Sequence, residues 1–325
     1  MIVHDRIYGR AEVHEPVLLA LLACPSVDRL RRSEQLGLPR EMHIVSGFSR
    51  FEHSVGVMLL LRRLDASVEE QVAGLLHDVS HTAFSHIMDW FHKTERHDNY
   101  QDSRHREFLM ASEIPDILKR FYLVVDRIAN PHLFSLLEAD IPHLCADRVD
   151  YALRQIPFVT AAACVDHIVT FEHRMAFNDP SDARTFADAY IHLQDTVWRG
   201  FEGMSRYRIF VRVLERALEL GRITLDDFDT DDRAVMQKIA SAPDLIIDTL
   251  MNTLRLRSLE HLPKESTLTF AKPRFVDPLV VEGQGARPLS AINAAFAQRL
   301  VQAKERNAKG IALVSVTHIL SHSSP

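Results

Sequence analysis

Two histidines and two aspartates of this sequence are of the types that bind a metal ion. His53 lies in the segment RFEHSVGV, His77 and Asp78 are adjacent in GLLHDV, and Asp147 lies in ADRVDYALR. Each lies in an apolar, helix-like run, where a buried imidazole or carboxylate is costly unless something compensates it. A divalent ion bound by two neutral imidazoles and two carboxylates would provide that compensation. Such an ion also acts as a Lewis acid and activates water for hydrolysis.

For each of these residues alone, the alternative is an ordinary buried side chain that is hydrogen-bonded to the backbone. Adjacent residues such as His77 and Asp78 do not share a helix face, so both reach one ion only where a helix bends or ends. All four residues together favour a metal site. Mixed nitrogen and oxygen ligands suit Mn, Fe, Co, Ni, Zn or Mg, and the sequence does not choose among them.

Three longer motifs carry a resemblance to a known family. They are RFEHSxGV, HDxxHxxFSH and ADRxDYxLR, in this order along the chain. Together they resemble the HD phosphohydrolase superfamily, whose signature is H…HD…D. Within it they are most similar to the branch of the SAM-and-HD-domain deoxynucleotide triphosphohydrolase and the bacterial dNTP triphosphohydrolases. The resemblance is close over residues 4–160 and loose as far as 260.

The resemblance implies further catalytic residues beside the metal. His81 and His86 match two family histidines that follow the HD pair, and Asp89 matches an acid three residues later. A histidine of near-neutral pKa can protonate a leaving oxygen, and a carboxylate can orient it. His105 matches a further catalytic histidine, although Arg106 follows it where the family usually has glutamate. Solvent-exposed histidines without a catalytic role are the alternative.

The resemblance also implies substrate contacts at Gln35, Leu36, Arg50, Arg148, Tyr151, Arg154 and Gln155. The planar fork of arginine suits phosphate oxygens, and a surface salt bridge is the alternative for Arg50. Gln35 and Leu36 match the pair that lines the deoxyribose pocket. Gln155 replaces an aspartate that reads the sugar 3′-hydroxyl, so the preferences for sugar and for triphosphate stay open.

The composition is that of a soluble globular protein, with 325 residues, 46% hydrophobic and 25% charged. A net charge of −6 argues against a general binder of nucleic acid or anionic membranes. The three cysteines have no metal-binding spacing, and the N-terminal residues lack the pattern of a signal peptide. We therefore expect a cytoplasmic protein, and the family resemblance implies that its ligand is a nucleotide or another phosphorylated small molecule. No membrane or extended nucleic acid is expected as a partner, and a homo-oligomer is left open.

Helical patterns position most of the candidate residues. Ser49 is predicted to cap a helix that carries His53, and Ser67 forms a capping-box pattern with Glu70 before a helix that ends near His77. The polar stretch 92–104 predicts a loop over the site, with a helix from residue 105 onward. Further helices are predicted over 15–24, 27–37, 84–91, 133–154, 185–220 and 231–259.

The pattern changes near residue 263. Two short strands are predicted within 267–281, an amphipathic helix over 290–306 and another strand over 311–316. We therefore predict a mainly α fold. It comprises an HD-domain helical core, residues 1–262, and a small C-terminal α+β appendage, residues 263–325.

The leading functional hypothesis is a metal-dependent phosphohydrolase that acts on nucleotides, with a dNTP triphosphohydrolase as the first guess. One alternative is a phosphatase for nucleoside monophosphates or nucleotide analogues. Another is a non-catalytic, nucleotide-binding HD regulator, although the complete set of metal ligands argues against it. The sequence has no Walker A glycine loop, which argues against a P-loop NTPase.

Overall fold

The helices of this protein follow one another along almost the whole chain. The computed structural model describes residues 1–92, 100–270 and 274–321. The fold is mainly α-helical, as predicted. The α-helices are α1 Pro16–Leu22, α2 Pro25–Asp28, α3 Arg50–Arg63, α4 Val68–Leu76, α5 Ile87–Phe91, α6 Tyr100–Ala111, α7 Ile114–Arg120, α8 Val125–Ile128, α9 Ala146–Leu153, α10 Phe158–His167, α11 Pro180–Leu193, α12 Phe201–Glu219, α13 Asp232–Ile239, α14 Leu245–Leu254, α15 Leu289–Ile292, α16 Ala294–Ala308 and α17 Val316–Ser321.

Short strands form three small sheets. The strands are β1 Ile2–Asp5, β2 Gly9–Glu12, β3 Ile168–Phe171, β4 Arg174–Phe177, β5 Lys264–Thr269, β6 Leu279–Glu282, β7 Gly285–Pro288 and β8 Ile311–Val314. β1 and β2 form an antiparallel hairpin, and β5 pairs antiparallel with β8. The remaining sheet has the order β3-β4-β6-β7, in which β4 and β6 are parallel. The hairpins β1-β2 and β3-β4 were not predicted from the sequence.

Two apolar clusters hold the helices together. The larger cluster packs α3 against α4 and α9 through residues such as Val57, Leu75 and Val149. The second packs α12 against α5 and α14, with Phe210 and Leu250 at its centre. Because α3, α4 and α9 carry or precede the predicted metal ligands, the larger cluster brings these ligands to one place.

The predicted starts of α3 and α4 are confirmed. The Ser49 side chain accepts a hydrogen bond from the N–H of Glu52, and the Glu52 carboxylate accepts one from the N–H of Ser49. These two hydrogen bonds form a complete capping box at the start of α3. Ser67 accepts the N–H of Glu70 at the start of α4. The Glu70 carboxylate accepts backbone N–H groups from residues 136 and 137 instead of closing the box. His77 ends α4, as predicted.

Several predicted helices are shorter or broken. The helix predicted over 84–91 begins only at Ile87, because Phe84 and Ser85 have φ angles of 62° and 50°. The helix predicted over 133–154 forms only from Ala146 onward, and Pro142 interrupts it. Three other segments that were predicted as single helices are interrupted. The segment 27–37 changes to the short 3-10 helix Arg29–Arg32, and the segment 185–220 is broken by the π-helical turn Gln194–Trp198. The segment 231–259 is broken at 240–244, between α13 and α14.

The predicted loop over the site is partly helical. α6 begins at Tyr100, five residues earlier than predicted. Residues 93–99, which include His97, lie outside the described residues.

The C-terminal segment has the predicted α+β character and packs against the rest of the chain. β6 pairs with β4, α16 contacts α11, and β8 contacts α12. The division at residues 262 and 263 stays a prediction. None of the helices in the described ranges combines the length and apolar character that a membrane crossing requires.

Candidate metal centre and active site

The imidazoles of His53 and His77 face each other. Their Nε2 atoms lie 3.2 Å apart. The Nδ1 atom of His53 is 2.7 Å from Oδ2 of Asp150, and that of His77 is 2.7 Å from the carbonyl oxygen of Gly74. Because both Nδ1 partners are acceptors, they favour the tautomer with the proton on Nδ1. The Nε2 lone pairs then point into the same space, as they do in histidine pairs that bind a metal.

Two carboxylates complete this group. Oδ1 of Asp147 is 3.0 Å from Nε2 of His53 and 3.5 Å from Nε2 of His77. Asp78 is slightly further away, with its oxygens 3.7 Å and 3.5 Å from the same two nitrogens. In the described parts of the chain, His53, His77 and Asp147 are the one group whose donor atoms all lie within 4.8 Å of one another. Three of the four predicted ligands therefore form a group that could hold a single divalent ion, and Asp78 lies beside this group.

The electrostatics of the group also suit a cation. Burial would lower the pKa of His77, but the carboxylates of Asp78 and Asp147 outweigh it and raise this pKa to about 9. Burial opposes protonation of His53 too, and Asp147 and Asp150 raise its pKa above the usual value. The carboxylates thus create a demand for positive charge between the two rings, which a metal ion meets.

Asp150 holds His53 from the side opposite the metal position. Arg154 in turn holds Asp150 through a 2.8 Å contact from Nε to Oδ2, and its Nη2 is 2.7 Å from Oδ2 of Asp5 in β1. The side chains of Asp150 and Arg154 are completely buried. Gly56 leaves the necessary room, because a Cβ there would lie 2.0 Å from Nη2 of Arg154 and 2.1 Å from Oδ1 of Asp150.

This arrangement bears on two residues that the sequence treated differently. Arg154 was predicted to bind substrate, yet it is engaged by two aspartates and is not among the described residues that line the cavity. Its placement supports a role in positioning the metal ligand. Asp150 was missed, although it lies one helical turn after Asp147 and one before Arg154, a spacing that places all three on one side of α9.

Arg50 is completely buried at the start of α3 and still lines the cavity. Its Nε donates to Oγ of Ser85 at 2.6 Å, its Nη1 donates to the Asp78 carboxylate, and its Nη2 reaches the Gln35 carbonyl oxygen at 3.4 Å. Burial would raise the pKa of Asp78, but Arg50 and His77 outweigh it and hold this pKa well below the usual range. Arg50 therefore keeps a metal-binding carboxylate ionised.

The predicted catalytic residues His81, His86 and Asp89 lie in one group. Nε2 of His81 is 3.3 Å from Oδ1 of Asp78, and Nδ1 of His86 is 3.0 Å from Oδ2 of Asp89. The two histidine rings meet edge to face, with centroids 5.2 Å apart. Burial and the nearby Arg50 lower the pKa of His81 to about 3, so this imidazole is neutral at physiological pH.

His105 is in α6 and lines the same cavity. Its Nδ1 lies 2.9 Å from Oγ of Ser80, which also accepts a hydrogen bond from the Gln101 side chain. Burial and the charge of His77 lower the pKa of His105 to about 4. His105 thus reaches the cavity as a neutral ring with a fixed orientation.

The cavity beside the metal ligands has a volume of about 900 Å³. The predicted substrate contacts that line it are Gln35, Leu36, Arg50, Arg148, Tyr151 and Gln155. Arg148 donates to the carbonyl oxygens of His143 and Ala139, at 2.6 Å and 3.1 Å. The Gln155 amide is also engaged, since its oxygen accepts from the Trp198 indole at 3.1 Å and its nitrogen donates to the Tyr151 carbonyl at 3.3 Å.

Later segments add residues to the cavity that the sequence analysis missed. They are Trp198, Arg199, Arg206, Tyr207 and Arg274, among others. The Trp198 ring meets Tyr151 edge to face with centroids 5.0 Å apart, and the Arg274 guanidinium carbon is 6.0 Å from the Tyr151 ring centroid. No spacing in the sequence connects these residues with the HD motifs, because only the packing of α12 and the C-terminal segment brings them there.

Comparisons with known proteins identify the family of this chain. The chain matches the HD domain family over residues 50–156. It is 30% identical over 298 residues to the metal-dependent phosphohydrolase cns2 of Cordyceps militaris, covering 86% of this chain and 84% of that protein. It is also 30% identical over 289 residues to uncharacterized protein YdhJ of Bacillus subtilis, covering 86% and 88%.

Three further similarities are more limited, one in the length that it covers and two in sequence identity. The deoxynucleoside triphosphate triphosphohydrolase SAMHD1 of Bos taurus is 35% identical over 103 residues, which cover 27% of this chain and 17% of that protein. In fold, the chain is similar to a phosphohydrolase from Bacteroides thetaiotaomicron, with a TM-score of 0.54, 19% identity and coverage of 78% of this chain and 76% of the other. A hypothetical protein from Aquifex aeolicus has a TM-score of 0.65, 18% identity and coverage of 91% and 93%.

Proposed function

The chain belongs to the HD-domain family and is a metal-dependent phosphohydrolase, and we propose that its substrate is a nucleotide, with a deoxynucleoside triphosphate as the first candidate. The observation that carries the proposal is the convergence of His53, His77 and Asp147, with Asp78 beside them, next to a cavity of about 900 Å³. This volume lies within the range of roughly 300–1,000 Å³ that is typical of small-molecule pockets.

A divalent ion held by His53, His77, Asp78 and Asp147 would supply a Lewis acid for a phosphoryl oxygen. Arg50 binds the same phosphate from the side. Nη2 makes the longest of the three hydrogen bonds of Arg50, at 3.4 Å to the Gln35 carbonyl oxygen, so Nη2 retains the most capacity to donate toward the cavity.

His86 is the proton donor for the leaving oxygen. It lines the cavity, and the Asp89 carboxylate lies 3.0 Å from its Nδ1 and orients the ring. His81 serves as a neutral hydrogen-bonding partner, because burial and Arg50 lower its pKa to about 3. His105 is neutral as well, because burial and the charge of His77 lower its pKa to about 4.

The aromatic lining of the cavity supports a substrate that carries a base. Tyr151 and Trp198 form one wall, and Arg274 reaches over the Tyr151 ring. Aromatic rings and a guanidinium group favour flat, polar rings such as nucleobases. The partial similarity to a deoxynucleoside triphosphate triphosphohydrolase supports the deoxynucleotide as the first candidate.

A nucleoside monophosphate is the second candidate, because two of the three arginines that the sequence predicted as phosphate contacts are engaged by other groups of the protein. Arg154 is held in buried ion pairs away from the cavity, and Arg148 is engaged by two carbonyl oxygens and by Glu138. A triphosphate requires several cations to neutralise its charge, whereas Arg50 and a metal ion suffice for one phosphate.

The two candidates differ in their products. Metal-free protein is incubated with deoxynucleoside triphosphates, nucleoside triphosphates and nucleoside monophosphates, each with Mn²⁺, Fe²⁺, Co²⁺, Ni²⁺, Zn²⁺ or Mg²⁺, and the products are separated by chromatography. Release of tripolyphosphate and a deoxynucleoside supports the first candidate, and release of orthophosphate from monophosphates supports the second. Absence of turnover with every metal would contradict both and favour a nucleotide-binding regulator.

A further inference from the structure

Asp232, at the start of α13, lies far from the HD motifs in sequence and contacts the loops around Arg50. We propose that Asp232 is a positioning residue for Arg50. It acts through two loops that hold the Arg50 guanidinium group, one containing residues 34–35 and the other residues 84–85. This inference rests on the proposed function, since it takes Arg50 to be a ligand of the substrate phosphate. It assigns a role to a segment outside residues 50–156, which match the HD domain family.

Each carboxylate oxygen of Asp232 accepts a backbone N–H from a different loop. Oδ1 accepts the N–H of Phe84 at 2.8 Å, and Oδ2 accepts the N–H of Glu34 at 2.7 Å. The side chain is buried, with a relative exposure of 5% for the residue. One carboxylate therefore joins segments that lie 148 and 198 residues away in the chain.

The residues next to these two N–H groups bind Arg50. Ser85 follows Phe84, and its hydroxyl accepts from Nε of Arg50 at 2.6 Å. Gln35 follows Glu34, and its carbonyl oxygen is 3.4 Å from Nη2 of Arg50. The two loops are also joined directly, because the Ser85 hydroxyl donates to the Glu34 carbonyl at 3.0 Å. Displacing either loop therefore displaces a partner of the guanidinium group.

The loop that carries Ser85 needs support from outside. Phe84 and Ser85 have φ angles of 62° and 50°, in the left-handed region that side chains other than glycine adopt at a cost. Two groups near the start of α13 provide this support. The Asp232 carboxylate accepts the N–H of Phe84, and the Phe228 carbonyl oxygen accepts the N–H of Ala83 at 2.8 Å. Without Asp232, the Phe84 N–H would be buried without its acceptor.

Asp232 is not needed as the cap of its own helix. The preceding residue, Asp231, accepts the N–H of Ala234 at 3.0 Å and also pairs with Arg32. Asp231 therefore caps α13, and the Asp232 carboxylate is directed to the loops. The chain thus offers a matched control, because Asp231→Asn and Asp232→Asn are the same substitution at adjacent positions.

The test is a double-mutant cycle of Asp232→Asn with Arg50→Lys. An asparagine side chain has one acceptor oxygen, so one of the two backbone N–H groups loses its partner. We expect kcat/KM for the hydrolysed nucleotide to fall between about tenfold and a hundredfold in Asp232→Asn, since small displacements of positioning groups have effects of this order. Asp231→Asn should remain within about twofold of the wild type, with unfolding midpoints measured for all variants.

The cycle distinguishes positioning from a general loss of structure. If Asp232 acts through Arg50, the double variant loses little more than the stronger single variant. If the two losses multiply, or if Asp231→Asn is as impaired as Asp232→Asn, the inference is overturned. Should Asp232→Asn fail to fold, Asp232→Glu takes its place in the cycle and is judged by the same two outcomes.

A second measurement distinguishes failure of the proposed function from failure of the role of Asp232. If the wild type hydrolyses no nucleotide, the cycle is repeated with binding of inorganic tripolyphosphate, measured by calorimetry on metal-loaded protein. Non-additive losses of affinity then support the role of Asp232 even though the proposed substrate is wrong. Additive losses, or a wild type that binds no tripolyphosphate, overturn it.

Discussion

Asp150 and His53 are joined by a 2.7 Å contact between Oδ2 and Nδ1, and both side chains are completely shielded from water. This contact orients the ring and leaves its Nε2 for the metal position. Arg154 and Asp5 extend the contact to the N-terminal hairpin. The candidate metal centre is thus supported by buried residues that lie outside the group of candidate ligands.

Replacing Asp150 should weaken metal binding. In Asp150→Asn the amide group no longer provides a charged acceptor for Nδ1 of His53, so we expect metal affinity to fall by about 10–100-fold. Titration of metal-free protein with Mn²⁺ or Zn²⁺ measures this change. Asp126→Asn, at an exposed ion pair with Arg106, is the control. An unchanged affinity in Asp150→Asn would show that His53 does not need this partner.

Loss of a direct ligand should have a larger effect. His77→Ala or Asp78→Ala removes one of four converging donors, and we expect the purified protein to retain no stoichiometric metal and no activity while its helical content persists. Elemental analysis and circular dichroism provide the two measurements. His167→Ala, a partly exposed histidine at the end of α10, is the control. Wild-type metal content in either ligand variant would remove that residue from the site.

Gly56 should tolerate no side chain. A Cβ at this position would lie 2.0 Å from Nη2 of Arg154, so Gly56→Ala must displace the Arg154–Asp150 pair. We expect a loss of about 1–3 kcal/mol in unfolding free energy together with weaker metal binding. Gly285→Ala is the control, since a Cβ there meets nothing within 4 Å. Equal urea midpoints for the two variants would contradict the close packing behind His53.

The hydrogen bond between Gln155 and Trp198 should affect substrate binding more than the chemical step. Gln155→Leu keeps the size of the side chain but removes the acceptor of the Trp198 indole, so the aromatic wall loses its support. We expect KM for nucleotides to rise about 3- to 10-fold with little change in kcat, corresponding to one neutral hydrogen bond. Gln237→Leu, at an exposed position of α13, is the control. A change confined to kcat would instead place Gln155 at the reacting group.

Asp232 should give folding stability a pH dependence that mutation can isolate. Burial raises the pKa of this carboxyl group from 3.8 to about 7, although the N–H groups of Glu34 and Phe84 oppose the change. The folded state therefore retains a proton that the unfolded chain releases. The stability associated with this proton is fully present below about pH 4 and is lost as the pH rises to about 7.

The measurement is the difference in unfolding free energy between wild type and Asp232→Asn from pH 4 to 8. As the pH rises to about 7, the wild type should lose about 1.4 kcal/mol of unfolding free energy per pH unit relative to Asp232→Asn. Above about pH 7 the difference should stay constant. Other carboxyl groups contribute equally to both proteins and cancel. A difference that does not vary with pH would show that Asp232 ionises normally in the folded protein.

Local motifs in the sequence determined the family and the mainly α fold, and they predicted the candidate metal ligands that the structure brings together. The capping residues Ser49 and Ser67 predicted where α3 and α4 begin, because capping is an interaction within one turn of helix. The HD pair was predicted near the end of α4, which is where the structure has it. These features depend on residues that are neighbours in the chain, so a single sequence contains them.

The tertiary structure alone decided how the ligands are held and what lines the cavity. Arg154 matched a phosphate-binding position, yet the β1-β2 hairpin brings Asp5 to it and makes it a buried partner of Asp150. Asp232 reaches the loops of Arg50 only because α13 packs beside them. Long-range contacts of this kind depend on the packing of distant segments. Neither the spacing nor the type of residue along the chain indicates which segments will meet.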